Sequence, residues 1–332
     1  MATISVLNAG MHTLIQDTGR FGVADVGLSQ GGAADLHSYC WANYLLTNDV
    51  NAPQLEILFG QLSITTDAGI CCVLTGADCS AVIHCHSEPN KAVVPWQTFI
   101  LQQGETLSLG YPRSGLRSYL AVRGGFNAIP VQGSVSTVVR NQIGGLLPDH
   151  HGKAGQAPKQ GLPLATGDQL TVVEYAQQEG RDNQFSPLAA PSRCIPDYSQ
   201  ETVLRVIESY QAEAFSSSFK ASFFNSIYTV SPNSDRMGCR FDGNPLVEQV
   251  ESLISEGIAY GAIQIPPDGL PIVMMNDRQT LGGYPKIGCV ARVDMAKLVQ
   301  SPPGKVVKFQ RGDVSLLTQE WQQFSRFFGL SF

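Results

Sequence analysis

The sequence predicts a mainly β protein, and three observations carry that prediction. Short runs of β-branched and apolar residues recur along the chain with turn residues between them. Glycine and proline are frequent, at 33 and 19 residues, which favours turns over long helices. Only a few segments show helical spacing. Short strands in this arrangement point to a barrel or a sandwich.

The elements follow in chain order. Ile4–Asn8, Leu62–Thr66, Cys71–Thr75, Ser80–His84, Thr98–Leu101, Thr106–Leu109, Ser118–Val122 and Gln169–Val173 read as strands. One helix interrupts them. Asp35 is placed to cap it, Leu36, Tyr39, Cys40 and Leu46 supply its apolar face, and Asn48-Asp49 ends it. Over Gln177–Asp197 the composition turns to Gln, Glu, Ser and Pro, which marks a linker at 181–200. The linker separates a domain at 1–180 from a second at 201–315. In the second domain Thr202–Ile207 reads as a strand, and Phe215, Phe219 and Phe223 at intervals of four predict a helix. Residues 316–332 form an amphipathic tail, with Trp321, Phe324 and Phe328 on one helical face.

A chain of 332 residues suffices for one large or two medium domains, and 43% hydrophobic content can fill a core. The net charge of −6 argues against binding nucleic acid, which needs a basic surface. No basic-then-apolar leader opens the sequence, and no apolar run approaches the ~18 residues of a membrane span. A cytoplasmic protein is expected. None of the eight cysteines forms a CxxC pair, so free thiols are expected. Cys71, Cys72, Cys79, His84, Cys85 and His86 invite a metal-site reading. Their irregular spacing and the lack of a completing carboxylate argue against it, and no metal is expected.

The most informative stretch runs from Gly261 to Asp294. Apolar runs at Pro271–Met275 and Ile287–Val293 flank a loop holding Asn276, Asp277, Arg278, Gln279, Thr280, Gly282, Gly283, Tyr284 and Lys286. The paired glycines predict positive φ or a close approach of another group. Four further segments share this composition: Gln16–Gly22, Arg117–Gly125, Gly133–Thr137 and Ser234–Gly243. Alternation puts Arg117, Tyr119, Ala121 and Arg123 on one strand face. The protein is acidic, yet Arg20, Arg117, Arg123, Arg236, Arg240 and Lys286 all fall in these segments. Guanidinium forks suit carboxylate or phosphate, so an anionic ligand is one reading. Structural pairs, Arg20 with Asp17 or Arg236 with Asp235, are the other. There is no GxSxG, HExxH, P-loop or GxGxxG with its acid, and no histidine lies in the glycine-rich segments. Acid–base work would fall to Asp17, Asp35, Glu56, Asp277, Tyr284 or Lys286.

Together these segments resemble the allophanate hydrolase subunit 2 family, which includes the C subunit of 5-oxoprolinase and the carboxyltransferase part of urea carboxylase. The resemblance rests on QDTGRFG at Gln16, GGAAD ending at Asp35, Leu55-Glu56, Thr75-Gly76-Ala77, RSYLAVRGGF at Arg117, GSVST at Gly133, SDRMGCRFDG at Ser234 and the stretch from Gly261. It departs at Val135, Cys239, Gly31 and Ala34, where the family commonly carries other residues. The resemblance implies two cyclophilin-like β-barrel domains with a few short helices. It also implies a subunit 1 partner, a third oxoprolinase subunit, and ATP used by the complex to open 5-oxo-L-proline to L-glutamate, this chain being inactive alone. A second implied activity is carboxyl transfer to urea or a related amide. This chain lacks the usual Met-Lys biotinylation motif, so biotin would then arrive on a partner. A third reading is a non-enzymatic regulator opposing a histidine-kinase inhibitor. The resemblance and the residue types together nominate Asp17, Asp277 and Lys286 as catalytic. They nominate Arg20, Arg117, Tyr119, Ser136, Arg236, Arg240, Gln264, Gln279, Thr280 and Tyr284 for binding a small amide or lactam.

Overall fold

The computed structural model describes residues 1–85, 88–146, 160–173, 186–248 and 254–330. The protein is mainly β with few helices, as expected. The chain divides into two compact units, Met1–Arg20 with Gly31–Asp197, and Phe21–Gln30 with Tyr198–Phe332. No sequence signal marks the short stretch Phe21–Gln30 as belonging with the second unit.

The first unit holds two antiparallel sheets around one core. One sheet runs Gln169–Thr171, Thr3–Ala9, Leu62–Thr66, Thr106–Ser108, Val82–His84 and Lys91–Ala92. The other runs His12–Gln16, Gln54–Leu58, Ser114–Val122, Ile70–Asp78 and Thr98–Leu101. Ile4, Val6, Leu62, Ile64 and Leu107 from the first meet Ile15, Leu55, Ile57, Leu74 and Leu120 from the second. The helix Leu36–Leu45 packs on the strands Ile70–Asp78 and Ser114–Val122. Asp35 caps it as predicted, accepting from Ser38 N at 3.0 Å and Ser38 Oγ at 2.6 Å.

The start of the predicted linker, 177–185, lies outside the described residues. The remainder is ordered against the first unit: Thr98 N donates to Leu188 O at 2.9 Å, and Ala190 N to Trp96 O at 2.9 Å. His86 also lies outside the described residues. Among the described residues no three His, Cys, Asp or Glu side chains gather as a metal would require.

The second unit is a closed barrel in the order Thr202–Glu208, Lys286–Val290, Ala262–Gln264, Ile272–Met274, Gly238–Asp242, Tyr228–Val230 and Val306–Arg311. A parallel pairing of its first and last strands completes it. Closure leaves no free edge along the barrel wall. Phe223, Tyr228, Phe241 and Phe309 pack ring on ring, with Phe223 and Phe309 stacked at 4.8 Å. The tail forms the helix Val314–Phe328, capped by Asp313 and ended by Gly329 at φ 70°. Arg205 ties it down by donating to both Asp294 and Glu320. Among the described residues no helix is long and apolar enough to cross a membrane.

Candidate functional site

Two buried polar networks occupy the first unit. Asp17 follows the strand His12–Gln16 and is 2% exposed. Its Oδ1 accepts from Ser134 Oγ at 2.6 Å, Ser136 Oγ at 2.6 Å and Gly19 N at 2.8 Å, and its Oδ2 from Val135 N at 2.8 Å. Four donors offset the cost of burying this carboxylate. The pairing of Asp17 with Arg20 that sequence proximity suggests is thus replaced by hydroxyls and amides. Arg20 instead gives Nη2 to Ser134 O at 3.2 Å and Ser136 O at 2.8 Å. Gly31 permits this packing. It sits at φ 65°, and a Cβ there would stand 2.8 Å from Val138 Cγ2 and 3.2 Å from Arg20 Nη1.

The second network centres on Glu56, directly opposite Tyr119 across the paired strands. Glu56 Oε2 accepts from Tyr119 Oη at 2.8 Å and from Ala34 N at 2.8 Å, and Arg117 Nε stands 3.7 Å from Oε1. Tyr119 Oη accepts from Asp35 N at 2.7 Å. Burial pushes the Tyr119 phenol well up, and the Glu56 charge adds to it. The GGAAD segment is therefore read through its backbone amides.

In the second unit the pairing of Gly238 with Met274 sets Arg236 beside Asp277. The two form a forked ion pair, Nε to Oδ2 at 2.9 Å and Nη2 to Oδ1 at 3.0 Å, both largely buried. Asp235, the partner suggested by sequence, instead closes its own turn by accepting from Met237 N and Gly238 N. Ser29 Oγ donates to the carbonyls of Asp277 and Arg278, so the stretch Phe21–Gln30 braces this loop.

Lys286 is 6% exposed. Its Nζ lies 2.9 Å from Glu256 Oε1 and donates to Tyr284 O at 3.3 Å. Gln211 Nε2 reaches the same Glu256 oxygen at 2.7 Å, and the Tyr210 hydroxyl donates to the other. The Tyr210 hydrogen bond, then Lys286, hold the Glu256 carboxyl below its ordinary range. The same bond raises the Tyr210 phenol. Arg278 gives Nε to Ile258 O at 2.8 Å and Nη1 to Met275 O at 3.3 Å. Burial lowers its pKa. Gln264, on the barrel strand, and Gln279, on the loop, both turn their amides toward Gly282.

The nominated residues thus fall into separate groups. Asp17, Arg20 and Ser136 form one, and Arg117 and Tyr119 a second. Asp277 with Arg236, and Gln264, Gln279, Tyr284 and Lys286, belong to the second unit. Thr280 joins that loop through its carbonyl, which accepts from Ile258 N at 3.0 Å. Arg240 is exposed on its strand. Glu256, Tyr210, Gln211 and Arg278 are not among the residues that sequence nominates. The first three lie in a 3-10 turn and a two-residue strand that carry no motif, and Arg278 is visible in the sequence only as one charge among several in its loop.

A closed barrel and a two-sheet unit, with cations and carboxamides on glycine-rich loops, define the class: a mainly β protein that carries its polar chemistry at strand ends. The chain belongs to the family described as carboxyltransferase domain, subdomain A and B, which matches residues 26–311. It is 33% identical over 326 residues to the C subunit of 5-oxoprolinase from Escherichia coli (strain K12), a match covering 98% of this chain and 96% of that protein. It is 31% identical over 308 residues to the corresponding 5-oxoprolinase protein of Haemophilus influenzae, covering 92% and 90%. The solved urea carboxylase of Kluyveromyces lactis shares the fold, with a TM-score of 0.82 at 24% identity over 97% of this chain. This chain spans 29% of that enzyme. The kinship read from the motifs is borne out.

Proposed function

We propose that this chain is a subunit of a hydrolase complex that opens 5-oxo-L-proline to L-glutamate with ATP. The observation that carries the reading is the near end-to-end likeness to the C subunit of 5-oxoprolinase. The second unit supplies chemistry suited to that substrate. Carboxamides at Gln264 and Gln279 match a lactam. Arg278 spends its hydrogen bonds on carbonyls, and among the described residues no carboxylate pairs with it, so its charge suits the substrate carboxylate.

Lys286, paired with Glu256, gives a proton to the ring nitrogen as the C–N bond breaks, while water leaves its hydroxide on the carbonyl carbon and returns its own proton to the lysine amine. Asp277, clamped by the Arg236 fork, fixes the loop. Asp17, Arg20, Ser136, Arg117 and Tyr119 hold the first unit in shape. A triphosphate suits the second-unit cluster poorly, because Glu256 and Asp277 already offset Lys286 and Arg236 and leave Arg278 alone to meet its charge. We assign the nucleotide to a partner subunit, where it supplies the free energy for opening a stable lactam.

A second reading, carboxyl transfer, is favoured by the family match itself. The ureido ring of a partner-borne biotin would then meet the same carboxamides. Co-expression with the neighbouring genes separates the two. The purified complex is expected to release glutamate from 5-oxo-L-proline in an ATP-dependent manner and to leave urea uncarboxylated. Carboxylation without glutamate release would overturn the assignment, and neither activity would favour the regulator.

A further inference from the structure

Ser29 is 2% exposed, yet it closely follows residues 24–27, which all face solvent. That exposed stretch folds back on itself. Gly27 N donates to Ala24 O at 3.1 Å and Leu28 N to Val23 O at 3.2 Å, so Ser29 leaves a closed turn at a fixed place. The chain on either side is held as well. Arg20 donates to Ser134 O and Ser136 O, and Ala33 N donates to Asp17 O at 2.9 Å. The Ser29 hydroxyl reaches the carbonyl of Arg278 at 2.9 Å and that of Asp277 at 3.2 Å. These two carbonyls belong to the peptide planes on either side of the Arg278 Cα. One hydroxyl shared between them restrains both soft dihedrals of that residue, and with them the direction in which its side chain leaves the backbone.

Arg278 has a use for such a hold. Its guanidinium gives Nε to Ile258 O and Nη1 to Met275 O, while Nη2 makes no hydrogen bond to any described residue. A guanidinium takes a carboxylate through a planar fork, which depends on alignment. We propose that Ser29 is a positioning residue for the reaction assigned to the complex: it sets the Arg278 backbone and so aims the guanidinium at the substrate carboxylate. Ser29 itself touches no substrate and carries no proton. The inference rests on the reading that gives Arg278 the carboxylate of 5-oxo-L-proline, and it adds what holds the fork in line. It also gives the excursion Phe21–Gln30 a task in the second unit.

The test is a double-mutant cycle on the co-expressed complex, with Ser29→Ala, Arg278→Lys and the two together. A lysine keeps the charge as a point on a flexible stem, so its aim matters little. The readouts are KM and kcat for ATP-dependent glutamate release, and the Kd of 5-oxo-L-proline by ligand-observed NMR, each below the onset of melting. Ser29→Ala is expected to raise KM and Kd by about tenfold, the scale of one lost charge-assisted hydrogen bond. Its kcat should change by less than about twofold, as when binding common to ground and transition states is lost. In the Arg278→Lys background Ser29→Ala should change KM and Kd by less than about twofold, because the fork it aims is gone. A serine that merely supports the loop would give additive losses, with kcat falling as well. Additive losses, or unchanged KM and Kd in Ser29→Ala, would overturn the proposal. Its fate is separable from that of the proposed function. Binding that weakens in Ser29→Ala but not further in the Lys background, in a complex that never releases glutamate, keeps this role and removes the reaction. Glutamate release that Ser29→Ala leaves untouched does the reverse. A wild-type complex that neither binds 5-oxo-L-proline nor releases glutamate overturns both.

Discussion

Glu256 shows how much one residue can organise. It receives Lys286, Gln211 and Tyr210 on two oxygens, yet it lies in a two-residue strand that no pattern in the sequence announces. Its carboxyl titrates below the ordinary range in the folded chain, so the folded state binds that proton less readily than the unfolded one. The stability it adds is complete above the unfolded carboxyl pKa and disappears as pH falls through the folded value. Wild type should therefore melt above Glu256→Gln by a constant margin from neutral pH down to about 4.5, and the margin should close below that. Melting curves across this range check it. A margin that widens in acid would contradict the ion pair. Asp17 makes the contrasting case. Sequence marks it as a candidate acid, but its oxygens already carry four donors, which suits a strut in the first unit.

At the scale of elements, local signals are legible where one residue decides the outcome. Asp35 stands before an apolar helical stretch, and it caps the helix Leu36–Leu45. Replacing it with Ala should cost roughly 1 kcal/mol, within the ~0.5–2 kcal/mol range of lost caps, and urea unfolding would measure it. A loss far above that range would show that the Asp35 backbone amide bound to Tyr119 had moved as well. The strands His12–Gln16 and Gln54–Leu58 escape prediction because Gln16, Gln54 and Glu56 are buried polar residues that break apolar alternation. Spacing alone places Phe215 in the second helix. Ser216 instead caps that helix by accepting from Phe219 N at 3.1 Å, and Phe215 stacks on Phe219 from outside at 4.9 Å. The run predicted to extend to Val293 ends its strand at Val290. There the backbone turns so that Arg205 can grip Asp294.

For the whole molecule, what sequence could not reveal is pairing across distance. Gln264 and Gln279 stand out by type, but only the barrel pairing of Ala262–Gln264 with both Lys286–Val290 and Ile272–Met274 brings them to Gly282. The excursion Phe21–Gln30 and the link from Lys286 to Glu256 are hidden for the same reason. These long-range pairs also bear on whether the chain acts alone. In the second unit Lys286 is already offset by Glu256 and Arg236 by Asp277, which leaves Arg278 as the loop's cation with no carboxylate paired to it among the described residues. A nucleotide triphosphate would have to displace those carboxylates or bind elsewhere. The isolated chain should therefore fold, showing a single cooperative melt, yet release no glutamate from 5-oxo-L-proline with ATP. Adding the partner subunits should restore release without raising the melting temperature of a chain already folded by more than binding explains. Turnover by the isolated chain at the rate of the complex would show that this chain carries the nucleotide itself, and that the offset cations had been assigned the wrong role.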